Sequence, residues 1–142
     1  MPKASEQVDF EGEIGVRIGK QARNISATSA WEYVDGLMAL NDVTARDLQN
    51  KDGQWSRAKG VDTFCPVGSV VPLEQVDLSL LSVKTRVNGE IRQESGADDM
   101  VFDIPTLIEY VSHVMTLEAG DLIATGTPHG IGPLREGDEV EI

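Results

Sequence analysis

Two glutamates, Glu11 and Glu13, stand two apart in the segment DFEGEIGVRIG. On an extended strand that spacing sends both carboxylates to the same face. Read alone, such a pair is usually a solvated strand face. Like charges side by side on a sheet are nonetheless mildly unfavourable unless something neutralises them. A third carboxylate, Asp42, follows the apolar run LMAL and so ends what reads as a short buried strand. Three carboxylates plus waters make an all-oxygen donor set. That set suits Mg²⁺, Mn²⁺ or Ca²⁺ better than zinc, whose usual ligands are His and Cys.

Asp42 also opens a polar stretch, LNDVTARDLQNKDGQWSRAKGVDTFCP, dense in charge and short of apolar residues although hydrophobic sequence flanks it. It reads as a surface loop or as the wall of a site. Cys65, at its end, has no histidine near it in sequence and reads as a small residue packed before Pro66 rather than a nucleophile. His113 falls on the polar face of a predicted helix, and His129 reads as a surface residue of a glycine-rich loop.

The elements that must position these groups follow from periodicity. In DFEGEIGVRIG, Phe10, Ile14, Val16 and Ile18 share one strand face, with Gly12 between, and Asp9, Glu11, Glu13 and Arg17 the other. Ser29 and Glu32 have capping-box spacing for a short helix carrying Trp31, Val34 and Asp35, with Gly36 as its stop. From Leu80 to Glu94 the pattern is strand, Asn88-Gly89, strand, the strongest short hairpin signal. Asp103 is placed to cap a helix with Pro105 in its first turn and Leu107, Ile108, Val111, Val114 and Met115 at helical spacing. DLIAT and EVEI read as strands around the loop GTPHGIGPLREGD. The sum is a β-rich α+β chain with several short strands and two helices.

A length of 142 residues suits one domain with a real core. The formal charge of -12 excludes nucleic acid and anionic membranes as natural partners. It also repels a small anionic substrate, so an acid substrate needs a local reversal of sign, for which a cation held by clustered carboxylates is the economical device. No apolar run is long enough to cross a membrane, and MPKASEQVDFEGE lacks a signal-peptide core. With a single cysteine there is no internal disulfide, which fits a reducing, cytoplasmic location.

The segments DFEGEIGVRIGK, NDVTARDLQ, QWSRAKGVDTFCPVG, VNGEIRQ and GDLIATGTPHGIG, in this order and spacing, resemble the fumarylacetoacetate hydrolase family from Val8 onward. The resemblance implies a mixed β-roll with a few flanking helices, usually assembled as dimers, over 1–142. It implies that Glu11, Glu13 and Asp42 hold a divalent ion, Mg²⁺ or else Mn²⁺ or Ca²⁺. It sets Arg46 and Gln49 near the substrate, Lys59 beside both metal and bound acid, and Thr127 in hydrogen-bonding reach of the ligand, with Lys59 and Arg46 as the catalytic cations. Hydrolytic relatives carry a water-activating His and Glu on a lid upstream of the paired glutamates. Eight residues precede Asp9 here and relatives continue beyond EVEI, so a member truncated at both ends is expected.

The first functional expectation is a metal-dependent hydrolase cleaving a C–C bond in a 2-oxo or 3-oxo acid of the acylpyruvate or fumarylpyruvate type, in aromatic or amino-acid catabolism. The alternative is an isomerase or decarboxylase acting on 2-hydroxyhepta-2,4-diene-1,7-dioate-type acids or oxaloacetate, which needs the metal and an acid-anchoring cation but no hydrolytic water. A third, of another class, is a non-catalytic metal-binding remnant. The expected partners are a small oxo-acid and a second copy of the chain.

Overall fold

The alternating segment at the N-terminus is not one strand. In the computed structural model, which describes residues Met1–Ile142, it divides at Glu11 into β1 (Val8–Phe10) and β2 (Gly12–Ile18). The two halves join different sheets. A 3₁₀ helix (Ala27–Tyr33) leads into β3 (Val34–Asn41), followed by β4 (Thr44–Ala45), α1 (Arg46–Asp52) and α2 (Ser56–Lys59). Then come β5 (Val71–Pro72), β6 (Ser82–Val87), β7 (Glu90–Gly96), α3 (Ile104–Val114), β8 (Leu122–Ala124), β9 (Gly132–Pro133) and β10 (Val140–Glu141). The strands form three antiparallel sheets, ordered β4-β1-β9, β10-β6-β7 and β5-β3-β2-β8. The β-rich α+β class expected from the sequence is the class observed.

The main core gathers Ile14, Val16 and Ile18 of β2 with Leu37 of β3, Val83 of β6, and Ile104 and Ile108 of α3. The face opposite these β2 residues is not a solvated one. Asp9, Glu11 and Glu13 are all buried, so this part of the polar face lines the interior of the protein, while Arg17 at its end pairs with Asp35 at the surface. A second, small core of Ala45, Leu48 and Ala58, with Phe64 against it, ties β4, α1 and α2 together. The polar stretch is therefore not one loop; it runs through β4 and then two short helices, with Arg46 at the start of one and Lys59 at the end of the other.

The hairpin is as expected. Asn88 and Gly89 both have positive φ, 52° and 81°, as a type I′ turn requires. Asp103 caps α3, its carboxylate accepting from the Thr106 N–H at 2.9 Å. The predicted helix around Ser29 is corrected. It is a 3₁₀ segment capped at Ser26 without a side-chain bond, and Val34 and Asp35 already belong to β3. Gly36 stops no helix. It pairs with Pro72 across the β3–β5 ladder, where a Cβ would run into Val70 and Val71. β3 is thus twice the length of the run LMAL, and its register against β2 sets Asn41 opposite Gly12.

Candidate functional site

That register builds the site. Gly12 lies between the two glutamates and Asn41 immediately before Asp42, so pairing the first with the last residue of β3 brings three carboxylates to one place. The junction is fastened twice. The Glu11 N–H donates to Asn41 Oδ1 at 3.0 Å, and the Asp42 N–H donates to the Glu11 carbonyl at 2.8 Å. One carboxylate oxygen from each of Glu11, Glu13 and Asp42 lies within 4.8 Å of the others. A hard cation with oxygen ligands about 2.1–2.5 Å away sets opposite ligands roughly 4–5 Å apart. The cluster therefore has the size and the all-oxygen chemistry to hold a divalent ion.

Two cations face the cluster. Lys59 donates to Glu11 Oε2 at 2.8 Å and to Asp42 Oδ2. Arg46 spreads its fork over three partners, Asp9 Oδ2 at 2.8 Å, Gln49 Oε1 at 2.6 Å and Glu11 Oε1. Both cations are partly buried. Burial alone would lower the pKa of the Lys59 ammonium, but its bonds to Asp42 and Glu11 outweigh that and hold it above the ordinary value. The Arg46 guanidinium is likewise raised by Asp9 and Glu11 against burial. Trp55 packs near Lys59, its ring centre 5.9 Å from Nζ.

Glu13 has no cation of its own. Burial pushes its carboxyl up to about 7; the Gly126 N–H, bonded to Oε2 at 2.7 Å, opposes this, and the charges of Asp42 and Glu11 reinforce it against Lys59. Four carboxylates (Asp9, Glu11, Glu13, Asp42) meet two cations (Arg46, Lys59), which leaves two negative charges when all are ionised. A divalent ion cancels that excess; without one, a proton on Glu13 is the available remedy.

The structure thus brings together Glu11, Glu13, Asp42, Arg46, Gln49 and Lys59. Thr127 stands on the far side of Gly12. Its hydroxyl donates to the Gly12 carbonyl at 2.9 Å and accepts from Gln93 Nε2 at 2.7 Å, so the proton it would offer a ligand is already committed. Cys65 is exposed as a residue, with its thiol partly covered. Its thiol is pushed up by burial and by Asp42 and Glu13, the opposite of what a nucleophile needs. His113 and His129 are both exposed and touch none of the clustered carboxylates. Sequence reasoning missed Asp9, Asn41 and Gln93. Asp9 was legible in the alternation, two residues before Glu11 on the same face. Asn41 adjoins Asp42. Gln93 gave no signal beyond its place in VNGEIRQ.

The family described as Fumarylacetoacetate (FAA) hydrolase C-terminal matches residues 1–142. The chain belongs to this family. Within the fumarylacetoacetate hydrolase family it is 47% identical over 149 residues to the oxaloacetate tautomerase YisK of Bacillus subtilis, covering 99% of this chain and 50% of that protein. It is 41% identical over 146 residues to the mitochondrial oxaloacetate decarboxylase of Dictyostelium discoideum, covering 99% of this chain and 67% of that one. Among solved structures, the 2-hydroxyhepta-2,4-diene-1,7-dioate isomerase of Mycobacterium marinum superimposes with a TM-score of 0.91 at 46% identity, over 96% of this chain and 54% of that one. The chain thus spans between half and two thirds of the length of these relatives. Their names favour the isomerase and decarboxylase reading over the hydrolase that stood first. No helix is long and apolar enough to cross a membrane.

Proposed function

We propose that this chain carries a divalent-ion site made by Glu11, Glu13 and Asp42, and that it serves enol–keto exchange, isomerisation or decarboxylation of a small oxo-acid. The observation that carries this reading is the Lys59 ammonium shared between Glu11 and Asp42 beside the unpaired Glu13. Such a cluster binds a cation and keeps a second positive charge next to it. Mg²⁺ and Mn²⁺ fit the donor set, with Ca²⁺ as the larger alternative. When bound, the ion supplies Lewis acidity toward a carbonyl oxygen of the substrate.

The residues of the chain do the rest. Lys59 is a compact point charge that swings from its carboxylates toward an anionic substrate without leaving the site. Arg46 is held by Asp9, Gln49 and Glu11 through one N–H of each nitrogen, which leaves one N–H on each terminal nitrogen for the carboxylate of an acid. Both place positive charge where negative charge develops on an enol oxygen, which is the electrostatic demand common to the three reactions. None of them calls for an activated water. What supports the non-hydrolytic reading is the likeness to an oxaloacetate tautomerase and an oxaloacetate decarboxylase.

The experiment sets oxaloacetate and acetylpyruvate side by side with Mg²⁺ or Mn²⁺, with a chelated control and subtraction of the free-metal reaction. Metal-dependent enol–keto exchange or decarboxylation of oxaloacetate is expected to exceed acetylpyruvate cleavage. A rate difference of at least about tenfold, roughly 1.4 kcal/mol in barrier, decides between the two. Efficient acetylpyruvate cleavage would return the hydrolase to first place. No turnover of either acid, with ion binding intact, would make the chain a metal-binding remnant.

A further inference from the structure

We propose that Gln93 is a positioning residue that clamps the paired-glutamate strand to the loop after β8, and so sets the spacing of the carboxylates. This rests on the reading of Glu11 and Glu13 as ion ligands. Gln93 lies on β7, far from the site in sequence, and is 1% exposed. Its Oε1 accepts from the Gly12 N–H at 3.0 Å; its Nε2 donates to Thr127 Oγ1 at 2.7 Å and to the Pro128 carbonyl at 2.8 Å. Only this orientation of the amide works. Gly12 N–H is a donor and the Pro128 carbonyl an acceptor, so a flipped amide would set like against like at both ends. That fixes the hydroxyl of Thr127 in turn, which must accept from Gln93 and therefore donates to the Gly12 carbonyl.

The two peptide units that flank Gly12 are thereby each held, the first through the Gly12 N–H by Gln93 and the second through the Gly12 C=O by Thr127. Gly12 separates the two glutamates, so its orientation dictates where their side chains point. The same loop returns a third bond to the site, from the Gly126 N–H to Glu13 Oε2 at 2.7 Å. Gln93 is the single side chain that touches both partners of this closure. A space-filling residue without hydrogen bonds would keep the packing and lose the registration. Partners of this kind around ion ligands typically matter by about 10- to 100-fold in affinity.

Gln93→Met keeps the bulk and removes every bond; Gln93→Glu keeps the acceptor for Gly12 and removes the donors to Thr127 and Pro128 at neutral pH. Mn²⁺ titration and amide hydrogen exchange at Gly12, Gly126 and Ile108 read the outcome. We expect Mn²⁺ binding at least about tenfold weaker in both variants. Gly126 should exchange faster in both, Gly12 faster only with Met, and Ile108 in the core of α3 unchanged. Should Gln93→Met fail to fold, Gln93→Glu alone decides, through the split between Gly126 and Gly12. Wild-type Mn²⁺ affinity in the folded variants, or exchange rising equally at Ile108, would overturn the proposal and make Gln93 an ordinary core residue. A wild-type chain that binds no Mn²⁺ would overturn the ion-site reading instead, and the exchange pattern would then judge the clamp by itself.

Discussion

Ion binding at this site should carry a proton with it. Glu13 stands at about 7 rather than 4.5, chiefly through burial, so an incoming cation must displace its proton below neutrality. With a pKa of 7, about 3% of Glu13 is ionised at pH 5.5 and about 90% at pH 8, so Mn²⁺ affinity should rise roughly 30-fold across that range, or about 2 kcal/mol. A carboxylate with its ordinary pKa would change the affinity by about 10% over the same range. The sign for folding runs the other way. The folded pKa lies above the unfolded one, so this group contributes stability that is fully present below about 4.5 and is lost as pH rises through 7, at most about 3 kcal/mol. Saturating Mn²⁺ should cancel that loss. Calorimetric titration at pH 5.5, 6.5 and 8 in two buffers of different ionisation enthalpy measures both affinity and proton release. Glu13→Gln should bind weakly with a flat pH profile. Wild-type affinity that stays constant from pH 5.5 to 8, or a Glu13→Gln variant that keeps the wild-type slope, would refute the assignment of the proton to this carboxylate.

Lys59→Met should lower stability in the absence of metal by roughly 1–3 kcal/mol, because it leaves Glu11 and Asp42 without their shared donor. Thermal melts with and without Mn²⁺ check this, since a divalent ion should restore most of the loss. Oxalate binding should remain about tenfold weaker in the restored variant, about 1.4 kcal/mol. Gly12→Ala should cost about 1–3 kcal/mol in urea denaturation, since the new Cβ would overlap Thr85 Oγ1 and approach Gln93 Oε1 to 3.2 Å. Adding Thr85→Ala should recover most of that, because the hydroxyl it removes is buried and has no hydrogen-bond partner; an additive double variant would refute the contact.

Much of the site was legible because its charge is local in sequence. Spacing set Glu11 and Glu13 on one face and the apolar run before Asp42 set it at a strand end, while their role as a group was implied only by the family resemblance; the Asn88-Gly89 and Asp103 signals worked because turns and caps are decided within a few residues. The division of the first strand at Glu11 was not legible. Alternation describes which side chains share a face, and it cannot tell water from the Arg46 and Lys59 side chains and the Gly126 loop that cover the polar side. The capping-box reading at Ser29 failed for a related reason: Val34 and Leu37 are buried by β3's place between β2 and β5, and pairing with β2 overrode a local helical signal. The helices α1 and α2 escaped notice because they are short and bury few residues each, so neither has an amphipathic stripe. Gln93 belongs to contacts more than 30 residues away in either direction, where no local pattern reaches.

The order of these groups along the chain has a consequence for how the protein is made. Every charged group of the cluster lies between Asp9 and Lys59, whereas two of the amides that hold it, those of Gln93 and Gly126, come later. A chain synthesised from its N-terminus exposes the full charge excess to solvent well before either restraint has left the ribosome. During that interval Arg46 and Lys59, which emerge with the carboxylates, are the groups that offset their mutual repulsion. The two cations are thus chaperones of the site's own charge first, and components of the finished site afterwards.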